Sequence, residues 1–353
     1  MSLCVLSVAY PFARVTADPI GGAEQVLSAL DRALVAAGAR SVVLACDGSA
    51  PAGELQAIAA PPAEVDDAAR ARAQAAVRDR LADLVERLRP DVVHLHGIDF
   101  WSYLPPPGVP VAVTLHLPLA WYPPAELAPR RPDTWLVPVS ADQARRAPPG
   151  ARLQQPIENG VDVEAFRPAR KRGFALSLGR ICPEKGFHLA LDAARAADAP
   201  LLLAGAVFPY PEHRRYFDEE IRPRLDRRRR WIGPVTGAAK RRLLAAARCL
   251  VAPSLAPETS SLVAREALAA GTPVVALRRG VLADVVDDGR TGVLVDAPEA
   301  LPGALRDAAA MRTEDCRRAA EARFSLRAMT EGYLRLYWRL AALGGERQEG
   351  RAA

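Results

Sequence analysis

Short apolar runs recur along this chain, spaced so that a helix fits between most of them. They lie at 3–9, 41–45, 91–95, 109–115 and 135–139, and again at 174–178, 201–204, 231–232, 249–252, 274–276 and 293–295. A strand that is apolar on consecutive residues has both faces covered, as in parallel sheets. Between the runs, apolar residues take helical spacing, as at Val26, Leu27, Leu30, Leu34 and Val35 before Gly38. Alternation of this kind is satisfied by a parallel sheet with crossover helices. The rhythm restarts after a basic connector at 167–172. The expected fold class is therefore α/β, with two doubly wound domains at 1–168 and 169–325. A closing amphipathic segment from 326 carries Met329, Tyr333, Leu336, Tyr337 and Leu340 at helical spacing. Residues 47–66 read as a long loop, and the polar tail 344–353 as a frayed end.

The 353 residues have an ordinary globular composition, half hydrophobic and a quarter charged. No apolar run approaches the ~20 residues that span a bilayer. The first ten residues have no basic leader or small-residue cleavage site, so they read as a buried strand rather than a signal peptide. The five cysteines are scattered, without a Cys-x-x-Cys or Cys/His cluster in the linear sequence. That spacing points away from disulfides, a metal or a resident cofactor, and towards a cytoplasmic protein with free thiols. Charge is uneven. Residues 1–168 hold 15 arginines, no lysine and 19 acidic residues; 169–353 hold 32 basic and 22 acidic. The second half is the one suited to a polyanionic ligand. The run Arg227–Arg230 lacks the interleaved aromatics of a nucleic-acid surface and reads as a solvated corner.

Ligands of open parallel sheets bind beyond the carboxyl ends of the strands. Gly21, Gly22, His96, His116, Arg180, Lys185, Gly205 and Glu258 all fall there, and two facing sheets would bring them to one cleft. Within G-R-I-C-P-E-K-G at 179–186, Arg180 and Lys185 can converge on one anion without a metal. The stretch 253–276 reads P-S-L-A-P-E-T-S-S-L-V-A-R-E-A-L-A-A-G-T-P-V-V-A. It places Glu258 before a helix start and Glu266 within that helix, with Ser and Thr supplied for the N-cap. A helix N-terminus with free amides holds an anion, and the two carboxylates would bracket it. The competing structural readings are solvated loop cations for Arg180 and Lys185, and a surface glutamate for Glu266. The apolar neighbours Leu262, Val263, Ala267 and Leu268 oppose the latter, because a buried glutamate needs partners. Gly21-Gly22 before a helix lets backbone approach an anion, although a plain turn uses the same residues. A single histidine is more often structural, so His116 and His96 gain weight only from the rest of the pattern, and His94 reads as a packed residue.

Taken together, these motifs resemble the family-4 glycosyltransferases, retaining enzymes of the two-Rossmann-domain GT-B fold. The resemblance rests on 179–186, 253–276 and D-D-G-R-T-G-V-L-V-D at 287–296. Looser matches are I-G-G-A-E at 20–24, D-V-V-H-L-H-G at 91–97, T-L-H at 114–116 and N-G-V-D at 159–162. It implies that Arg180 and Lys185 hold a donor diphosphate, and that Glu258 binds the transferred sugar. Amides near Ser261, Leu262 and Val263 would cap the phosphate, and Glu266 would bind the ribose. Gly22, beside Gly21, would approach the phosphate, and His116 would sit by the sugar. His96 and Asn159 are placed on the acceptor side, and the last helix would cross back to the first domain. The family commonly carries Pro-Phe-Gly where this chain has Thr259-Ser260-Ser261.

The implied reaction moves a hexosyl unit from a nucleotide diphosphate sugar, UDP-linked by preference and GDP-linked as the alternative. The acceptor would be a hydroxyl on a small molecule, saccharide or lipid. An epimerase or phosphorylase on the same fold, or a non-catalytic sugar-nucleotide-binding subunit, is the rival reading, since fold alone does not set function. No nucleic-acid partner or transmembrane segment is expected, and the sequence leaves peripheral membrane contact and oligomeric state open.

Overall fold

The computed structural model describes residues 3–352, with side chains to residue 345. Two compact units emerge, one formed by Met1–Glu158 with Ala328–Ala353, the other by Asn159–Arg327. The first contains β1 (Cys4–Val8), β2 (Arg40–Cys46), β3 (Glu54–Ile58), β4 (Val92–Leu95), β5 (Val111–Leu115) and β6 (Thr134–Pro138). They form one sheet in the order β3-β2-β1-β4-β5-β6. The second contains β7 (Ala175–Leu178), β8 (Leu201–Ala204), β9 (Arg229–Trp231), β10 (Cys249–Ala252), β11 (Val274–Leu277) and β12 (Gly292–Val295). Read from β9, its order is β9-β8-β7-β10-β11-β12, the same winding repeated. Every strand pair is parallel. The order reverses between β1 and β4 and between β7 and β10, which makes each pair of strand ends the natural ligand position.

Alternate residues of the central strands feed two cores, which explains why the runs are apolar without interruption. In the second unit Leu176, Leu250 and Val274 pack with Ala264, Ala267 and Leu268 of the helix Leu262–Ala269. Ala175, Val251 and Val275 face the other way, onto Ala190 and Leu191 of the helix Phe187–Ala196. Each fully buried Leu or Val is worth roughly 1.5–3 kcal/mol relative to exposure.

Two expectations are corrected. Residues 47–66 are not all loop, because Glu54–Ile58 pairs with β2. As an edge strand it is only half buried, so its composition lacks the apolar run that marks the central strands. The first unit ends at Glu158 rather than 168. Val161 N–H bonds the Phe324 carbonyl at 2.9 Å, Leu326 N–H bonds the Val161 carbonyl at 3.1 Å, and Phe166 enters the second unit's core. The expected frayed tail falls, from residue 346, outside the described side chains. All five cysteines are free, and among the described residues no helix is long and apolar enough to cross a membrane.

The helix Leu326–Ala352 returns to the first unit through a buried polar chain. Tyr337 Oη lies 2.7 Å from His94 Nδ1, His94 Nε2 lies 2.7 Å from Thr114 Oγ1, and Thr114 Oγ1 lies 2.8 Å from Tyr333 Oη. His94 is therefore a packed residue of β4, fully buried. Burial holds its pKa down to about 3, with His116 adding to the shift. Replacing Tyr337 by Phe leaves a buried imidazole nitrogen without its partner. It should cost about 1–3 kcal/mol in urea unfolding of the first unit; an unchanged midpoint would rule out the polar chain as the helix anchor. The unfolded chain binds a proton at His94 near pH 6.5 and the folded chain does not. This contribution is thus complete above pH 6.5 and is lost as pH falls towards 3. At pH 5 the loss should be on the order of 2 kcal/mol, read as a lower unfolding midpoint than at pH 7.5.

Candidate active site

The second unit's site is built where β7 and β10 end side by side. Gly179 closes β7 at φ 155° and Gly205 closes β8 at φ 154°; a Cβ on Gly205 would lie 1.7 Å from the Gly179 carbonyl oxygen. Only glycine lets these strand exits touch. Arg180 leaves β7 with its guanidinium 5.7 Å over the Phe208 ring. The chain then turns through Pro183–Lys185 to Gly186, at φ 62°. A Cβ there would meet the Pro253 carbonyl at 2.4 Å. The Glu184 carbonyl accepts from Leu255 N–H at 2.8 Å and Ala256 N–H at 3.2 Å. The loop after β7 is thereby sewn to the loop after β10.

That seam brings Lys185 to Glu258, Nζ to Oε1 at 2.6 Å. The Ser254 hydroxyl donates to the same oxygen. The side chains are 27% and 12% exposed. Burial pushes the Glu258 carboxyl up, but Lys185, through charge and hydrogen bond, and Ser254 and Arg180 outweigh it and hold the group below the usual range. The carboxylate is ionised at neutral pH. The Glu258 carbonyl accepts from Val281 N–H at 2.9 Å, against Gly280, where a Cβ would strike that carbonyl at 2.4 Å.

Beyond Glu258 the helix Leu262–Ala269 starts without a side-chain cap. Ser261 takes the N-cap position but in the left-handed region, φ 49° and ψ 62°, rather than capping through its hydroxyl as expected. The backbone thus keeps the conformation that suits glycine, the residue the family commonly carries here. The Ser260 and Ser261 hydroxyls are buried without a hydrogen-bond partner. The first amides of a helix also lack intrahelical acceptors, here those of Leu262 and Val263. Arg265, 2% exposed, fixes the loop from behind: its Nε donates to the Ser260 carbonyl at 2.9 Å and its Nη1 to the Asn159 carbonyl at 2.5 Å. Asn159, expected on the acceptor side, therefore belongs to the second unit. Glu266 is buried and paired with Lys240 Nζ at 2.6 Å, so it is no surface glutamate. Lys240, Ser254, Arg265 and Gly280 escape the sequence reading. One signal was present: the chain has only three lysines, Lys171, Lys185 and Lys240, among 47 basic residues.

In the first unit, Gly21 is the N-cap of the helix Gly22–Ala36. A Cβ on Gly21 would lie 1.9 Å from Glu24 Oε2, so the chain's own carboxylate folds back over this helix start. His96 Nδ1 lies 2.9 Å from His116 Nε2, and the rings stack 5.2 Å apart. His96 is buried with Nε2 unpartnered, whereas His116 is half-buried. Burial, then His94 and His116, holds His96 well below the usual range; burial holds His116 down to about 3. At neutral pH both rings are uncharged and can exchange hydrogen bonds with hydroxyls. Tyr103 and Tyr122 are packed inside this unit.

Residues 173–311 match the family model described as glycosyl transferases group 1, and residues 20–147 match glycosyltransferase family 4. Each unit thus carries a region similar to a glycosyltransferase family model, and the two six-stranded parallel sheets match the GT-B fold of solved glycosyltransferases. Among curated relatives, the phosphatidyl-myo-inositol mannosyltransferase of Mycobacterium tuberculosis is 34% identical over 170 residues, 43% of this chain and 42% of the relative. The D-inositol 3-phosphate glycosyltransferase 2 of Catenulispora acidiphila is 36% identical over 162 residues, 39% and 38% of the two chains. The aligned region thus spans less than half of these relatives. Among solved structures, AviGT4, a glycosyltransferase involved in avilamycin A biosynthesis, is 25% identical with TM-score 0.69, covering 96% of this chain and 98% of that one. HepE of Anabaena, solved with UDP-glucose, is 18% identical with TM-score 0.71, covering 94% and 99%, and shares the fold.

The left-handed Ser261 carries strain that glycine would relieve. Ser261→Gly should raise stability by about 1 kcal/mol in urea unfolding; a loss of stability would mean that the hydroxyl, not the backbone, governs this position.

Proposed function

We propose that the chain transfers a hexosyl unit from a nucleotide diphosphate sugar to an acceptor hydroxyl, with retention of anomeric configuration. The carrying observation is the Lys185–Glu258 pair at the β7/β10 switch point, beside an uncapped helix start with two unpartnered hydroxyls. An ammonium has three N–H groups. Glu258 uses one of Lys185's, leaving two for phosphate oxygens. Arg180 adds a second cation, so the charge that develops on the leaving diphosphate meets fixed donors without a metal at that point. Glu258, ionised, accepts hydrogen bonds from the sugar's hydroxyls, and Glu266 those of a ribose diol. The amides of Ser261, Leu262 and Val263 cap the phosphate.

Retention is assigned to a front-face reaction. The leaving phosphate oxygen takes the proton of the incoming hydroxyl on the side from which it departs, and the side chains supply positioning and charge. His116, with His96 behind it, is assigned to hydroxyl recognition in the first unit, where the helix start at Gly22 offers free amides to an anion. UDP is the favoured nucleotide, supported by the UDP-glucose bound in HepE, with a GDP-linked donor as the alternative. The acceptor is a hydroxyl of a small molecule, saccharide or lipid. The inositol-containing names of two relatives favour a polyol. The reaction is assigned to the cytoplasm, where nucleotide sugars are available.

Lys185→Ala and Glu258→Gln should each lower kcat/KM by about 10²–10³-fold in a donor-consumption assay. Product anomeric configuration, read by NMR, should match the donor. Unchanged turnover in either variant would overturn the site assignment, and an inverted product would overturn the front-face reading.

A further inference from the structure

Cys182, Glu184 and His213 are separated in sequence but meet in the second unit. One ligand atom from each lies within 4.8 Å of the others. Cys182 is the N-cap of the turn Pro183–Lys185 and Glu184 lies within it; His213 comes from the helix Pro211–Tyr216. His213 is 5% exposed, and its Nδ1 is buried without a hydrogen-bond partner. Glu184 Oε2 is buried and unpartnered as well. Two orphaned ligand atoms beside a buried thiol are costly for a protein interior, and they vanish together if all three bind one ion.

We propose that Cys182, Glu184 and His213 form a zinc-binding site. Sulfur, imidazole nitrogen and carboxylate oxygen are the donors this borderline-soft ion takes, and a water completes the tetrahedron. Zn–S near 2.3 Å and Zn–N near 2.0 Å bring such ligands to about 3–4 Å from one another, so closure needs a movement on the order of 1 Å. Binding forms the Zn–S, Zn–N and Zn–O bonds. The thiol that donates to the Arg180 carbonyl at 3.5 Å loses its proton to solvent. The ion carries two positive charges against one thiolate and one carboxylate, so loading leaves the site neutral beside Arg180. Its effect is structural: it ties the loop of Arg180 and Lys185 to the helix of His213. Zinc binding here does not rest on the transfer reaction, although the ion would brace the loop that carries Arg180 and Lys185.

The test uses untagged full-length protein, stripped with chelator and reloaded with Zn²⁺ or Co²⁺. About one equivalent should be retained through desalting, and the Co²⁺ form should show a thiolate-to-cobalt charge-transfer band. Cys182→Ser should abolish the band, and His213→Gln and Glu184→Gln should weaken Zn²⁺ at least about tenfold, with circular dichroism confirming the fold of each. Cys249→Ser should retain both metal and band. No stoichiometric metal in the wild type, or equal affinity in folded His213→Gln, would overturn the proposal and leave the cluster as a thiol–carboxylate contact.

Discussion

The Lys185–Glu258 ion pair is the interaction around which the second unit's strand ends are arranged. A buried pair is weak evidence of net stability, but removing one partner strands the other charge at a cost of about 3–5 kcal/mol. The surroundings are built to keep both in place. Glycines at 186, 205 and 280 allow contacts that a Cβ would block, Gly179 takes a positive φ that favours glycine, and the Glu184 carbonyl bridges the loops through two amides. Ser254 takes up further acceptor capacity of the carboxylate. Geometry and charge are thus specified by separate residues that would have to fail together.

The same economy appears in the use of lysine. Forty-seven residues are Lys or Arg, yet lysine stands at only three positions, all in the second unit. Lys185 and Lys240 pair with the two glutamates of the 253–276 stretch. Lys171 donates to the Ala245 carbonyl at 3.0 Å and to Thr272 Oγ1 at 2.5 Å, and burial lowers its pKa to about 8. A compact ammonium fits these enclosed positions where the planar guanidinium fork would not. Arg265 is the counterexample that clarifies the rule, since its fork is used whole, on two carbonyls and the Phe324 ring.

Much of this was legible in the sequence because the central strands are apolar on both faces and their ends carry the glycines and charges. The repeated winding and the placing of Lys185 and Glu258 at strand ends follow from those signals, the returning helix was implied by the family resemblance, and the ion pair between Lys185 and Glu258 appears only in the structure. Edge strand β3 did not, because half its surface is solvated and its residues carry no period. The pairing of Glu266 with Lys240 was hidden because a helix register sets it across 26 residues. Ser261 shows the opposite case: a serine, at the place where the resembling family commonly carries glycine, takes the left-handed backbone that suits glycine. The Cys182–Glu184–His213 cluster was invisible to linear spacing, since His213 arrives from a separate helix.

Calorimetric binding of the free nucleoside diphosphate and of its sugar conjugate, to wild type, Lys185→Met and Glu258→Gln, tests the central claim most directly. If Lys185 holds the diphosphate and Glu258 the sugar, Lys185→Met weakens both ligands, whereas Glu258→Gln keeps the diphosphate and erases the added affinity of the sugar. Equal binding of both ligands by all three proteins would contradict the account.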